Sequence, residues 1–378
     1  MWIIDRYLLR QFLHTFLICF LSMTGLYVVF DAFTNLDSFL KAAERSGGLH
    51  RVLGNYYFYR SIWFFDRTAP LLTLSSAMFT VAWIQRHNEL VALMAAGVSR
   101  VRVVVPVLAA VLVIIVLAAA NRELLIPRFR NQMAQKPQDL SGDAAKEMSP
   151  QYDQQTGILI RGKSAFPSQL RIEAPSFRLP IALETYARQI EAKEAFYCPA
   201  EGDRPGGYLL CGVTQPKDAA ERPSLMLDDR VAIVSPKDRP DWLQADQCFV
   251  PSDVTFEQLT NPQGWREFSS TAQLVAGLHN RSLDFGSNVR VAIHARIVQP
   301  LLDITLLLLG LPLVLTRSDR NVFAALGLCG ALVTGFMVVV MTFQHLGSIH
   351  AISPTLAVWL PLMIFVPAAV EMTASMNR

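Results

Sequence analysis

Charge is scarce in this sequence. Of its 378 residues only 17% are Asp, Glu, Lys or Arg, against about 25% in an ordinary soluble chain, while 52% are hydrophobic. The formal net charge of +3 and the lack of a dense basic stripe argue against a nucleic-acid partner. Cysteine is sparse. The five residues include no Cys-x-x-Cys and no His/Cys group at metal-ligand spacing, so no metal site is expected. Neither HExxH nor GxSxG occurs, and His87, His294, His345 and His350 are scattered without partners at catalytic spacing. No catalytic residue and no enzymatic activity are therefore expected of this chain.

One motif is a decoy. Gly157-Ile-Leu-Ile-Arg-Gly162-Lys163-Ser164 matches a phosphate-binding loop letter for letter. Such a loop needs a following helix whose N–H groups face the phosphates. Here Pro167 follows closely, no apolar strand ends in a magnesium-holding Asp, and the nucleotide reading is rejected.

What is abundant is long apolar runs. A membrane-spanning helix needs about 20 apolar residues. Six segments qualify: Phe12–Phe33, Thr68–Ile84, Val101–Ala120, Ile297–Leu315, Val322–Phe343 and Ser353–Val370. Thr68–Ile84 is the shortest and Val101–Ala120 the clearest. The first run is longer than the roughly 7–15 residues of a cleavable signal core, so it reads as a retained helix. Lys and Arg in short loops set orientation. Arg6 and Arg10, then Arg86, Arg100 and Arg102, then Arg317 and Arg320, and finally Arg378 all fall on one side of a six-span layout, which places both termini in the cytoplasm. The connection between the first two spans departs from this rule. Lys41, Arg45, Arg51, Arg60 and Arg67 lie there among Tyr56, Tyr57, Phe58, Tyr59, Trp63, Phe64 and Phe65. This stretch reads either as an interfacial helix in the headgroup layer or as a basic mouth for an anionic lipid, with Lys41, Arg45, Arg60 and Arg67 as its cations.

The expected layout is thus an α-helical membrane protein with six transmembrane helices, three and three, around an inserted all-β domain. Residues 1–121 hold helices one to three, 122–288 the insert and 289–378 helices four to six. Short strand-like runs at Gly157–Arg161, Tyr186–Tyr197, Tyr208–Val213, Arg230–Val234 and Asp253–Phe256, separated by Pro, Gly and Asp, point to a sandwich or jelly roll. A hairpin over Phe196–Gly212 would bring Cys198 and Cys211 close enough for a disulfide in an oxidising compartment. Within the fourth span Asp303 is a costly intramembrane carboxylate, and Arg296 shares its helix face two turns away. Asp303 is read either as functional or as the structural partner of a polar group on another helix.

The most informative stretch runs from Arg86 through Asn88-Glu-Leu-Val-Ala-Leu-Met-Ala-Ala-Gly-Val-Ser99. Asn88 suits an N-cap, Glu89 the positive end of a helix dipole and Gly97 the C′ position, while Ser99 can cap the next helix. A helix of about 88–97 is too short to stand alone in water and must dock on something. Leu90, Leu93 and Met94 form its apolar face.

This stretch resembles the LptF/LptG (YjgP/YjgQ) permease family of lipopolysaccharide export. The likeness extends to Asp5-Arg6-Tyr7, Ile126-Pro127, Gly277-Leu278-His279-Asn280, Gln299-Pro300 and Ser353-Pro354. The resemblance implies a non-catalytic subunit of an ABC-type exporter in the bacterial inner membrane. It implies an LptB-like ATPase dimer that binds the ATP, leaving this chain without a cofactor, and a second LptF/LptG-type subunit. It further implies a periplasmic jelly roll that hands lipopolysaccharide or a related glycolipid to LptC- and LptA-like proteins. The loop helix looks like the family's coupling helix, with Arg86, Glu89, Leu90, Leu93, Met94 and Gly97 meeting the ATPase. Basic residues near the outer end of helix one assist the lipid phosphates in that family. Asp31 and Asp37 depart from the pattern here and leave the exact lipid open. The alternative is a membrane-anchored periplasmic binding or scaffold protein without transport, for which one or two helices would suffice.

Overall fold

The computed structural model describes residues 3–46, 48–141, 145–202, 205–227, 230–238, 241–280, 282, 286–315 and 322–375. Arg317, Arg320 and Arg378, and the side chains of Arg45 and Arg100, lie outside what is described. The chain begins with helices α1 (Ile3–Thr34), α2 (Leu36–Ser46), α3 (Leu49–Arg86), α4 (Glu89–Ala95) and α5 (Arg100–Ala120). A π-helical segment, Asn121–Leu125, and two short turns of helix follow. Strands come next: β1 (Gln151–Asp153), β2 (Ile158–Arg161), β3 (Ser164–Phe166), β4 (Arg171–Glu173), β5 (Ser176–Arg178), β6 (Gln189–Cys198), β7 (Gly207–Gln215), β8 (Leu225–Leu227), β9 (Arg230–Ile233) and β10 (Gln247–Pro251). Then come α6 (Phe256–Thr260), α7 (Pro262–Phe268), α8 (Thr271–Leu278), α9 (Gly286–Leu315), α10 (Val322–Ser348) and α11 (Pro354–Ser375). The chain divides into two compact units. One is Met1–Leu36, Leu53–Phe129 and Gly286–Arg378; the other is Asp37–Val52 and Arg130–Phe285.

Among the described residues of the helical unit five helices are long and apolar enough to cross a membrane: α1, α5 with its extension to Arg128, α9, α10 and α11. The exception is α3, which contains the weakest expected span. Its 38 residues reach about 57 Å at 1.5 Å each, but its sequence is diluted with Thr73, Ser76 and Thr80, all buried. Two of these hydroxyls are satisfied within the helix, Thr73 donating to the Ala69 carbonyl at 2.8 Å and Thr80 to that of Ser76 at 2.7 Å. A helix enclosed by other helices does not need an apolar surface on every side, so burial lowers the hydropathy of α3 without breaking it. Its inner face, with Leu74, Ala77, Met78 and Val81, joins a core with Leu8 and Phe12 of α1, Val107 and Val111 of α5, and Leu302 and Leu306 of α9. Gly310 lets α9 approach closely, since a Cβ there would lie 2.5 Å from Leu74 Cδ1. The aromatic stretch expected between spans one and two is no separate interfacial helix. Tyr56 to Phe65 extend α3 itself, with Tyr56 and Tyr57 buried.

The other unit is built on an eight-stranded antiparallel sheet in the order β1-β2-β5-β6-β4-β3, extended through β6–β7 and β7–β10, with β8–β9 a separate two-stranded ribbon. The ten-residue β6 is the spine: its residues pair with short β5 and β4 in turn, and with β7. Period-two burial of Ile158 and Ile160 in β2, with Ile172, Phe177, Ile190 and Leu210, makes the core. The strand expected at Asp253–Phe256 is instead the lead-in to α6, and the neighbouring strand is β10. Two capping boxes, Thr255 with Gln258 and Ser270 with Gln273, start α6 and α8. Both have the Ser/Thr-x-x-Gln spacing that lets side chain and backbone cap each other.

Register corrects the expected disulfide. Cys198 lies opposite Gly207, and Cys211 opposite Glu194. The two cysteines are thus four ladder positions apart, about 13 Å, beyond the roughly 7 Å Cα separation a bridge tolerates. None of the five cysteines is in a disulfide. The decoy motif also resolves: Lys163 and Ser164 lead from β2 into β3, not into a helix.

Candidate functional site

The loop between α3 and α5 is short and held from within. Asn88 is not the expected side-chain cap. It adopts a left-handed conformation (φ 58°) and makes no capping hydrogen bond, because the chain must turn sharply after His87, whose ring lies tilted against that of Trp83, with the ring centres 4.4 Å apart. The helix itself is seven residues long, Glu89–Ala95. Its C-terminus follows expectation. Gly97 has φ +81°, its N–H donates to the Met94 carbonyl and that of Val98 to the Leu93 carbonyl, both at 3.0 Å. These are the two bonds of a Schellman cap. Ser99 then accepts from the Arg102 N–H at 3.4 Å and starts α5.

The loop residues divide between two faces. Leu90 is buried, and Leu93 and Met94 pack against the same core as Leu8 and Phe12. Arg86, Val91, Ala92, Ala95 and Gly97 are exposed, and Glu89 is partly so. The Leu90, Leu93, Met94 stripe therefore anchors the loop on its own bundle, leaving Glu89, Val91 and Arg86 to face outward. The Glu89 carboxylate accepts the Tyr7 hydroxyl at 3.2 and 3.1 Å, and Asp5 pairs with Arg102 at 3.0 Å. Sequence spacing records neither contact, although Asp5-Arg6-Tyr7 is part of the family resemblance.

A second group gathers on α1 and α3. Arg60 donates through Nε to the Tyr56 hydroxyl at 3.1 Å. Its guanidinium lies over the rings of Tyr56 and Trp63, and Arg67 lies over Trp63 from the other direction along the helix. Arg60 and Arg67, two of the four expected headgroup cations, are thereby brought together on one indole. Asp31 accepts hydrogen bonds from Tyr57 at 2.9 Å and Asn35 at 3.2 Å. Lys41 is exposed on α2, in the other unit.

A third group is ionic. Arg122, in the π-helical segment, grips Asp66 of α3 through Nε and Nη2 at 2.9–3.1 Å. Asn121 beside it donates to the Ile62 carbonyl at 3.0 Å. A π-bulge adds a residue to the turn and re-aims side chains, which is how two adjacent polar residues both reach α3. Arg296 interacts electrostatically with Arg122, Glu123, Asp66 and Arg67. Asp303 accepts from Gln299 at 2.7 Å, one turn back on α9, and feels the charges of Arg122 and Asp66. The charges of Arg296 and Asp303 are thus felt near the Asp66–Arg122 pair, while the hydrogen bond of Asp303 stays on its own helix.

In the β unit a cleft of about 560 Å³ is lined by Asp153, Gln155, Arg230, Val231, Ser252 and Asp253. Cys248 is sealed in the core, its thiol pushed up to about 12 by burial. Burial, followed by the Asp246 and Glu194 charges, also raises Cys211. Both are therefore poor thiolates at neutral pH. Among the described residues no cluster of three His, Cys, Asp or Glu could hold a metal.

Comparison with known proteins gives one result. Residues 6–170 and 243–374 match the family model described as lipopolysaccharide export system permease LptF/LptG. No curated protein matches the chain. The unmatched stretch, 171–242, carries β4 to β9, whereas the match takes in α1, α3, the α4 loop, α5 and nearly all of α9 to α11. On that match, covering most of its length and every helix long enough to span a membrane, the chain belongs to the LptF/LptG family of lipopolysaccharide export permeases.

Proposed function

We propose that this chain is the membrane subunit of an ATP-driven exporter that draws lipopolysaccharide or a related glycolipid out of the bacterial inner membrane. A separate LptB-like ATPase dimer binds and hydrolyses the ATP. A second LptF/LptG-type subunit completes the path, and LptC- and LptA-like proteins receive the lipid. On this reading α3 is the sixth span, both termini and the α4 loop are cytoplasmic, and the β unit is a periplasmic jelly roll. The distribution of Arg6, Arg10, Arg86, Arg100, Arg102, Arg317, Arg320 and Arg378 supports the orientation.

The observation that carries the reading is the α4 loop. A seven-residue helix capped by a Schellman motif and anchored by Leu90 is a rigid protrusion. Its outward side offers Glu89, Val91 and Arg86. Such a short, preorganised helix suits a groove on a motor subunit, with Glu89 facing a basic side chain and Leu93, Met94 and Gly97 fixing its angle. Arg60 and Arg67, oriented on Trp63, suit an anionic headgroup, and Lys41 and Arg45 add positive charge just after α1 in the chain. Asp31 is occupied by Tyr57 and Asn35, which tempers its repulsion of phosphate. Asp303, hydrogen-bonded to Gln299 on its own helix, and Arg296 serve as structural charges within the bundle.

Glu89→Lys tests the coupling role. Reversing the charge against a basic partner should lower ATP turnover of the assembled transporter at least about tenfold, equivalent to about 1.4 kcal/mol, with the subunit's melting temperature unchanged. Full turnover in that variant would overturn the reading.

A further inference from the structure

We propose that Tyr7 is a positioning residue for Glu89, and that Tyr7–Glu89 and Asp5–Arg102 form a two-point latch tying the first turns of α1 to the α4 loop and the start of α5. The inference rests on the coupling role proposed for Glu89.

The partners are far apart in sequence, 82 residues for Tyr7 and Glu89 and 97 for Asp5 and Arg102. Only the tertiary fold brings them together. Residues two apart on a helix point about 200° from each other, at 100° per residue. Asp5 and Tyr7 therefore reach two different elements from one turn of α1. Between the polar contacts the packing is apolar. Leu8 and Phe12, three and seven residues after Asp5, are buried in the cluster that also holds Leu90 and receives Leu93 and Met94. Arg102 is doubly committed. Its N–H donates to Ser99 at the α4–α5 junction and its guanidinium to Asp5. The beginning of α1 is thus wedged against both ends of the loop.

The Tyr7 hydroxyl lies almost equally far from the two Glu89 oxygens, at 3.2 and 3.1 Å. A partly exposed glutamate would otherwise sample several rotamers. A phenol donor selects one, and the charge on the acceptor strengthens the bond. An ionised carboxylate has about four acceptor positions, so Glu89 can hold Tyr7 and still receive a cationic donor from a docking partner. The latch would present the carboxylate ready-placed. It also means that a push on α4 either moves α1 with it or breaks the latch.

The test uses the full chain assembled with its ATPase in lipid, as Tyr7→Phe, Asp5→Asn, Glu89→Gln and the Tyr7→Phe/Glu89→Gln pair. ATP turnover and amide exchange over 89–98 are both read. Tyr7→Phe and Asp5→Asn should speed exchange at 89–98 and leave β6 and β7 unchanged. Tyr7→Phe should lower turnover by about three- to tenfold, the range a single hydrogen bond accounts for. The pair should be no slower than Glu89→Gln alone, because Tyr7 acts only through Glu89. Wild-type turnover and exchange in Tyr7→Phe, with Glu89→Gln impaired, would overturn the latch and leave the coupling reading standing. A multiplicative loss in the pair would overturn the positioning role. Full turnover in Glu89→Gln would remove the coupling role, and exchange alone would then decide the latch: raised supports it, unchanged overturns it.

Discussion

In the helical unit Leu13, Leu17, Ile18, Leu21, Leu26 and Phe30 of α1 face outward, while in the β unit Ile158, Ile160, Ile172, Phe177 and Ile190 are sealed inside. Polar groups follow the same division. Hydroxyls of the helices bond locally: Thr15 to Gln11, Thr305 to Leu301, Thr342 to Val338 and Thr373 to Ala369, each to a carbonyl four residues back. In the β unit the buried contacts span the fold, Ser252 to Asp153 at 2.7 Å and Tyr208 to the Val254 carbonyl at 2.9 Å. Where lipid replaces water, a backbone or side-chain donor has no outside partner, so satisfaction must be local or within the bundle. A water-facing domain buries its apolar groups and pays for long-range pairing with loop entropy. The helical unit also makes polar contacts between helices, Tyr57 to Asp31 and Asn121 to Ile62 among them, and among the described residues the Asp66–Arg122 ion pair is the one in which both partners are charged and largely buried.

The comparison can be broken at four points. Phe177→Ala, at the centre of the sheet core, should cost the β unit about 3–5 kcal/mol, read as lost amide protection in β2, β5 and β6 with α9 to α11 unaffected. Asp66→Asn leaves the Arg122 guanidinium without its carboxylate. It should cost the helical unit about 3 kcal/mol, seen as earlier thermal unfolding of that unit with β-unit protection intact. Equal loss in both units would refute their separate stabilities. Gly97→Ala forces a Cβ into the left-handed region and should cost about 1 kcal/mol, raising exchange in the α4 loop alone. The smallest effect belongs to Cys198→Ser with Cys211→Ser. These residues are unbridged, so under oxidising conditions the pair should shift stability by no more than about 0.5 kcal/mol; a drop of several kcal/mol would reveal a disulfide.

Legibility differed along the chain. The long helices were readable because twenty apolar residues in a row have few other fates. Gly97 and Ser99 were readable because their chemistry acts within one turn. Asn88 was misread: its type suits a cap, but the turn after α3 places it in a left-handed conformation instead. Cys198 and Cys211 were misread because a hairpin's span does not state its register. Of the site, Glu89 was singled out from sequence, while its Tyr7 partner, 82 residues away, was not.

By itself the sequence determined the solvent of each part, since apolar run length and period-two alternation report directly on what surrounds a helix or a strand. It also determined how the α4 loop ends, at Gly97 and Ser99. Only the tertiary structure decided which side of that loop is anchored, which residues the π-helical segment aims at α3, and that Asp5 and Tyr7 close on Arg102 and Glu89. Those outcomes depend on contacts between residues tens of positions apart, and side-chain spacing along a chain carries no record of them until the helices pack.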